Sequence, residues 1–189
     1  MVPPELTEDI VYGVRDAWET SVRNEAASYL PKVAGAIAVK LPDIKNLLAL
    51  KGNPDAGKII YNNKCVLCHQ INNQGGNFGP SLTEIGSKYP PEGLLNAIVN
   101  PSAGISFGYE GWELKMKDGS VLTGIISSKT KTDLDMKFPG GSTKHIKTAD
   151  IAEKKKLSQS LMTEKLYENM SDQDLANLLS WLSGLKKKI

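Results

Sequence analysis

The chain is 189 residues long and 40% hydrophobic, enough to bury a proper core in one domain with additions or in two small domains. Its 23 basic and 21 acidic residues leave a formal charge of +2, so no bulk electrostatic argument points to nucleic acid. The longest apolar runs are far too short to span a bilayer, and Met1-Val2-Pro3-Pro4-Glu5 has neither the basic start nor the apolar stretch of a signal peptide.

The first predicted element is a helix. Leu6, Ile10, Val14, Trp18 and Val22 recur every four residues, which at about 3.6 residues per turn makes one slowly drifting apolar stripe. A second amphipathic piece spans Val22 to Leu30 and is stopped by Pro31; Val33 to Val39 and, after Pro42, Ile44 to Leu50 follow. The stretch Val22-Arg23-Asn24-Glu25-Ala26-Ala27-Ser28-Tyr29-Leu30 resembles the second helix of a HEAT-type repeat, although one copy establishes no period. Residues 1–50 are therefore expected to form a helical extension, either the end of a repeat array or a packing layer. Lys51-Gly52-Asn53-Pro54 is a cluster of helix breakers, and it places the domain boundary there, with residues 51–189 as the second unit.

Asp55 is expected to cap a helix from Ala56 to Asn63, which leads into Cys65-Val66-Leu67-Cys68-His69. That spacing reads as covalent haem attachment: two thiols three positions apart can add to the two vinyl groups of one haem, leaving the adjacent imidazole aimed at the iron. Competing uses of C-x-x-C fit less well. A zinc site needs further ligands, yet these are the chain's two cysteines, and its other histidine, His145, is distant in sequence. A thioredoxin-like pair should open a helix after a strand, whereas here a helix leads in; a structural disulfide gives no reason for the histidine. Haem of this kind is expected to be attached outside the cytoplasm. The chain is accordingly read as periplasmic or otherwise extracytoplasmic, with Met1 beginning a fragment and the export signal lying upstream.

Gln70 to Asn77 is polar and glycine-rich and reads as a loop, ending in Phe78-Gly79-Pro80-Ser81-Leu82. Pro91 to Val99 reads as a helix halted by Asn100-Pro101. From Tyr109 the period changes to two. Trp112, Leu114 and Met116 alternate with Glu113, Lys115 and Lys117, Asp118-Gly119 marks a hairpin turn, and Val121, Thr123 and Ile125 continue on the return strand. Leu134, Met136 and Phe138 then alternate against Asp133, Asp135 and Lys137, followed by Pro139-Gly140-Gly141 and Ser142 to Lys147. A small antiparallel β insertion is expected over about residues 109–151. Near the far end, Ser171-Asp172-Gln173-Asp174 is a capping-box variant opening a last helix with Leu175, Leu178, Leu179 and Leu182 on its buried side and Trp181 nearby.

The helix before the haem motif and the last helix resemble the crossed terminal pair of cytochromes c. That resemblance implies that Gly57 permits close backbone approach and that Tyr61 and Trp181 supply aromatic packing. The G-P-x-L step ten residues behind the motif resembles the cytochrome c loop whose proline carbonyl accepts a hydrogen bond from the proximal imidazole. On that resemblance Pro80 would fix the ring of His69 and raise its basicity, and Leu82 would pack on the haem face. The expected fold class is thus mainly α: a cytochrome c-like helical haem domain with a small β insertion and an N-terminal helical extension. A sixth iron ligand has five candidates, Met116, Met136, Met162, Met170 and His145. Met116 and Met136 fall in strand patterns, His145 shares a strand face with Thr143 and Lys147 and reads as solvent-facing, and Met170 directly precedes the last helix cap. Met162, in Ser158-Gln159-Ser160-Leu161-Met162, lies where a distal loop belongs and is the expected ligand under His/Met ligation.

The ordered set L-x-x-L-K-G-N-P-D-A-G-K, C-V-L-C-H-Q, F-G-P-S-L, P-S-A-G-I, G-Y-E-G-W, K-D-G-S-V-L-T-G and S-L-M resembles the Pirellula/Verrucomicrobium-type haem-binding domains over about Leu47 to Leu185. These are c-type cytochrome domains at the C-terminal end of large secreted proteins, often behind helical repeats and a β-propeller like that of quinoprotein sugar dehydrogenases. The resemblance implies Cys65 and Cys68 as attachment points for one haem c, His69 as proximal ligand and Met162 as distal ligand. One position departs: that family commonly has proline after the methionine, where this chain has Thr163. The implied role is single-electron transfer rather than catalysis, with a quinoprotein dehydrogenase as donor and another cytochrome or a copper protein as acceptor. The alternative is a haem sensor or enzyme with a displaceable distal ligand. Lys154-Lys155-Lys156 and Lys186-Lys187-Lys188 read either as docking sites for an acidic partner or as solvated surface.

Overall fold

The computed structural model describes residues 44–187, so the predicted helices over Leu6 to Val22, Val22 to Leu30 and Val33 to Val39 lie outside the described residues. The elements run α1 (Ile44–Ala49), α2 (Pro54–Lys64), β1 (Gln70–Ile71), β2 (Gln74–Gly75), α3 (Ile85–Lys88), α4 (Pro91–Val99), β3 (Gly111–Met116), β4 (Val121–Lys129), β5 (Asp133–Lys137), β6 (Thr143–Lys147), β7 (Ile151–Lys156) and α5 (Asp172–Gly184).

Helix α2 starts with Pro54, whose missing N–H belongs to the unpaired first turn. Its cap is Asn53, not the predicted Asp55: the Asn53 side chain accepts from the N–H groups of Asp55 (2.9 Å) and Ala56 (3.2 Å). Asp55 lies inside the first turn, where its carboxylate meets the positive end of the helix dipole. Helix α5 opens as its sequence predicts, with Ser171 as cap and Asp174 completing the reciprocal box. Leu175, Leu178, Leu179 and Leu182 all turn inward. The two helices cross at Gly57, where a Cβ would overlap the Asn177 carbonyl oxygen. Asn177 secures the crossing from the other side: its Oδ1 accepts from Asn53 N (2.8 Å) and Gln173 Nε2 (3.0 Å). Tyr61, Leu94, Leu95, Ile98, Val99 and Tyr167 complete this core, and Leu47 of α1 is buried in it too, at 1% exposure.

Strands β3 to β6 form an antiparallel meander, and β7 returns across a 3-10 turn at Thr148–Asp150 to pair with the free side of β3, giving the order β6-β5-β4-β3-β7. The Asp118-Gly119 turn is where its sequence predicts, with Gly119 at φ +86. Leu114, Leu134, Met136 and Ile146 build a second, separate core on one face of the sheet. Elsewhere on the sheet, Ile125 lines a cavity shared with helical residues, and the missing side chain of Gly111 leaves room for Leu157 and Leu161 of the loop after β7.

Three expectations change. Among the described residues helix does not dominate: 31% helix stands against 25% strand, because the sheet has five strands and its own core. The strand region runs on to Lys156 rather than ending near Ile151, since Ile151–Lys156 is the edge strand β7. The predicted loop over Gln70 to Asn77 contains a hairpin, in which β1 and β2 pair around Asn72 and Asn73, both with positive φ (51 and 64).

Candidate functional site

Cys65 caps the end of α2, its N–H donating to Tyr61 O at 2.8 Å. The chain then makes one further helical turn, in which His69 N–H donates to Cys65 O at 2.9 Å. This turn is wrapped by the returning loop. Gly76 N–H donates to Val66 O (2.7 Å), while Phe78 and Gly79 N–H both donate to Cys68 O (3.1 and 2.7 Å). Tyr61, expected to supply packing alone, also holds the turn: its hydroxyl donates to His69 O at 2.7 Å.

The imidazole of His69 is fixed in tautomer as well as place. Nδ1 lies 2.7 Å from Pro80 O. A carbonyl can only accept, so Nδ1 carries the proton and Nε2 keeps its lone pair. Burial pulls the His69 pKa below its ordinary value, the Pro80 carbonyl pulling the other way, and the ring is neutral at pH 7. Gly79 makes this possible: a Cβ there would lie 2.5 Å from His69 Cε1 and 2.8 Å from Nδ1. The sequence reading singled out Pro80 and passed over Gly79, although the glycine stands in the same F-G-P-S-L step.

Both cysteines are free thiols facing the same cavity as His69. Burial, reinforced by Cys68 and offset by Lys64, pushes the Cys65 thiol up to about 11; burial raises Cys68 as well. Thiols raised in this way are the opposite of the low-pKa pair of a thioredoxin-like site. No group of three histidine, cysteine or carboxylate side chains comes together to hold a metal among the described residues.

The cavity is walled by Phe78, Pro80, Leu82, Ile85, Leu94, Ile98, Leu178 and Leu182 from the helical region, by Ile125 from the sheet, and by the stretch from Ser160 to Thr163. It therefore brings together every predicted site residue: Cys65, Cys68, His69, Pro80, Leu82 and Met162. The competing methionines are elsewhere. Met136 is fully buried in the sheet core, Met116 packs against that core, and Met170 packs on the helical core. His145 is exposed on the sheet, with Nδ1 2.7 Å from Asp135 Oδ1 and Nε2 3.2 Å from Asp133 Oδ1. A neutral imidazole with a free Nε2, a thioether, two thiols and an apolar lining form a donor set that fits a covalently attached haem.

Residues 54–129 match the family model described as Cytochrome c. A curated relative described as "Cytochrome c-553-like", from Synechocystis sp. (strain ATCC 27184 / PCC 6803 / Kazusa), is 32% identical over 59 residues, covering 31% of this chain and 55% of its own length. The chain thus spans about half the length of the curated relative it matches. These likenesses support a c-type cytochrome domain. The cofactor is a covalently bound haem c with iron, and the two cysteines fit its C-x-x-C-H attachment. Cytochromes c act with redox partners, and no helix among the described residues is long and apolar enough to cross a membrane.

Proposed function

We propose that this chain is a monohaem electron-transfer module, with haem on Cys65 and Cys68, His69 as proximal iron ligand and Met162 as distal ligand. The observation that carries this reading is the His69–Pro80 hydrogen bond: it commits the Nδ1 proton and leaves Nε2 as the lone pair, in a cavity that Met162 also lines. When bound, the haem supplies the Fe(II)/Fe(III) couple. The chain's own residues hold and shield that couple. Pro80 and Gly79 hold the imidazole ring, Leu82, Ile98 and Leu178 keep water from the cavity, and the Met162 thioether is a soft ligand that favours the reduced state.

In this reading the five-stranded sheet is an insertion in a helical haem domain, and α1, at the end of the 1–50 unit, packs on that domain. The burial of Leu47 in the helical core supports that packing of α1. The setting is extracytoplasmic. The donor is a dehydrogenase domain or protein, of the quinoprotein class by the resemblance drawn from the sequence, and the acceptor another cytochrome or a copper protein.

Absorption spectra of the haem-loaded protein test the ligand set. The oxidised wild type is expected to show a weak near-infrared charge-transfer band that disappears in Met162→Ala. Thr163, which leaves the distal loop without a proline, favours the sensor reading as the competitor. Ready carbon monoxide binding by the reduced wild type, with no such band in its oxidised form, would put that reading first.

A further inference from the structure

We infer that Ser102 is a positioning residue for the loop that carries Met162, an inference that rests on the ligand assignment proposed above. The loop between β7 and α5 contains no regular element before α5, and it follows Met162 with Thr163, whose φ no ring fixes. Contacts from outside the loop therefore bear on how Met162 is held against the cavity.

Ser102 supplies that hold on both sides of Met162 at once. Ser160 N–H donates to Ser102 Oγ at 3.1 Å, in a partly buried bond. The same hydroxyl donates to Glu164 Oε1 at 3.3 Å. A serine hydroxyl has one proton and two lone pairs, so it can accept from the residue two before Met162 while donating to the residue two after it. The grip passes inward through Ser160, whose own Oγ accepts from Met162 N–H at 3.1 Å.

The clamp is anchored to the cavity wall. Ser102 sits in a turn closed by Ala103 N–H donating to Asn100 O at 2.9 Å. Asn100 in turn caps α4, through its N–H to Asn96 O (2.8 Å) and its Nδ2 to Asn96 Oδ1 (3.1 Å). Helix α4 places Leu94 and Ile98 in the cavity wall. The distal loop is thus registered to the helix that lines the haem cavity, by a residue that does not line the cavity itself.

The test uses haem-loaded Ser102→Ala, Ser102→Thr, Glu164→Ala and Met162→Ala. Two quantities are read: the temperature at which the near-infrared band is lost, compared with far-ultraviolet unfolding, and the rate at which the reduced protein takes up carbon monoxide. Ser102→Ala is expected to lose the band well below its unfolding temperature and to bind carbon monoxide about tenfold faster, the combined effect of losing both hydrogen bonds on ligand detachment. Ser102→Thr, which keeps the hydroxyl, restores wild-type behaviour, and Glu164→Ala shifts both readouts in the same direction by about threefold in rate, since it removes one arm only. If Ser102→Ala folds poorly, Glu164→Ala carries the test alone. The clamp is overturned if these alanine variants lose the band only as the whole protein unfolds and take up carbon monoxide at the wild-type rate. Met162→Ala separates the two levels. Retention of the band there overturns the ligand assignment and the clamp together; its loss, with wild-type behaviour in Ser102→Ala, overturns the clamp alone.

Discussion

The helical region and the sheet reach stability by different routes. The sheet closes its core with its own side chains: Leu114, Leu134, Met136 and Ile146 are buried together, with Trp112, Met116, Leu122, Ile126, Phe138 and Ile151 packed against them. The helical region encloses a cavity instead, and many of its apolar side chains, among them Ile98, Leu178 and Leu182, face that cavity from its wall. One half is finished by its sequence; the other is finished by a cofactor.

Four measurements break or sharpen that contrast. The largest effect is expected for Cys65→Ser combined with Cys68→Ser, which removes covalent haem. Amide exchange in α2 and α5 should lose most of its protection while β3 to β5 keep theirs. Simultaneous loss in both halves would show one cooperative unit and end the comparison. Leu114→Ala should next cost about 3–4 kcal/mol by denaturant unfolding, the usual result of deleting a fully buried leucine, with an unchanged haem spectrum. Gly57→Ala reverses the pattern. It should cost about 2 kcal/mol by forcing the α2–α5 crossing apart, and its loss of protection should fall on the helices.

The smallest effect concerns His145. Hydrogen bonding and charge from Asp135, with the charge of Asp133, raise its pKa above the ordinary 6.5. A raised folded-state pKa means that the contribution is complete below 6.5 and is lost as pH rises through the folded value. Exchange protection of β5 and β6 in the haem-loaded protein should therefore decline modestly above pH 6.5, and His145→Gln should flatten that decline.

Elements with strong local signals were legible in the sequence. Helix α4 matches its predicted span because Pro91 pre-sets the first turn and Asn100-Pro101 ends it. The capping box of α5 is written in four consecutive residues. Strand β7 was hidden because it is an edge strand. Its residues after Ile151 are all exposed, so no period-two alternation survives and Lys154-Lys155-Lys156 reads as a charged patch. The β1–β2 hairpin escaped for a related reason: its turn residues Asn72 and Asn73 make the whole stretch look like polar loop. In the site, the residues that touch the haem motif locally were readable, and Gly79 could have been found beside Pro80. Ser102 stands in the P-S-A-G-I step, but its role was not readable there, because its partners Ser160 and Glu164 lie 58 and 62 positions away.

The Asn53–Asn177 bond also bears on the order in which the chain folds. It joins residues 124 apart, while the strands of the sheet pair with close neighbours in sequence along most of the meander. Closing the larger loop has the larger entropic cost and awaits α5, which follows every strand in the chain. The sheet is then expected to form first, with Cys65, Cys68 and His69 still unpacked. Until α5 docks the attachment motif stays reachable, which gives the enzymology of thioether formation an interval set by the closing of that long loop.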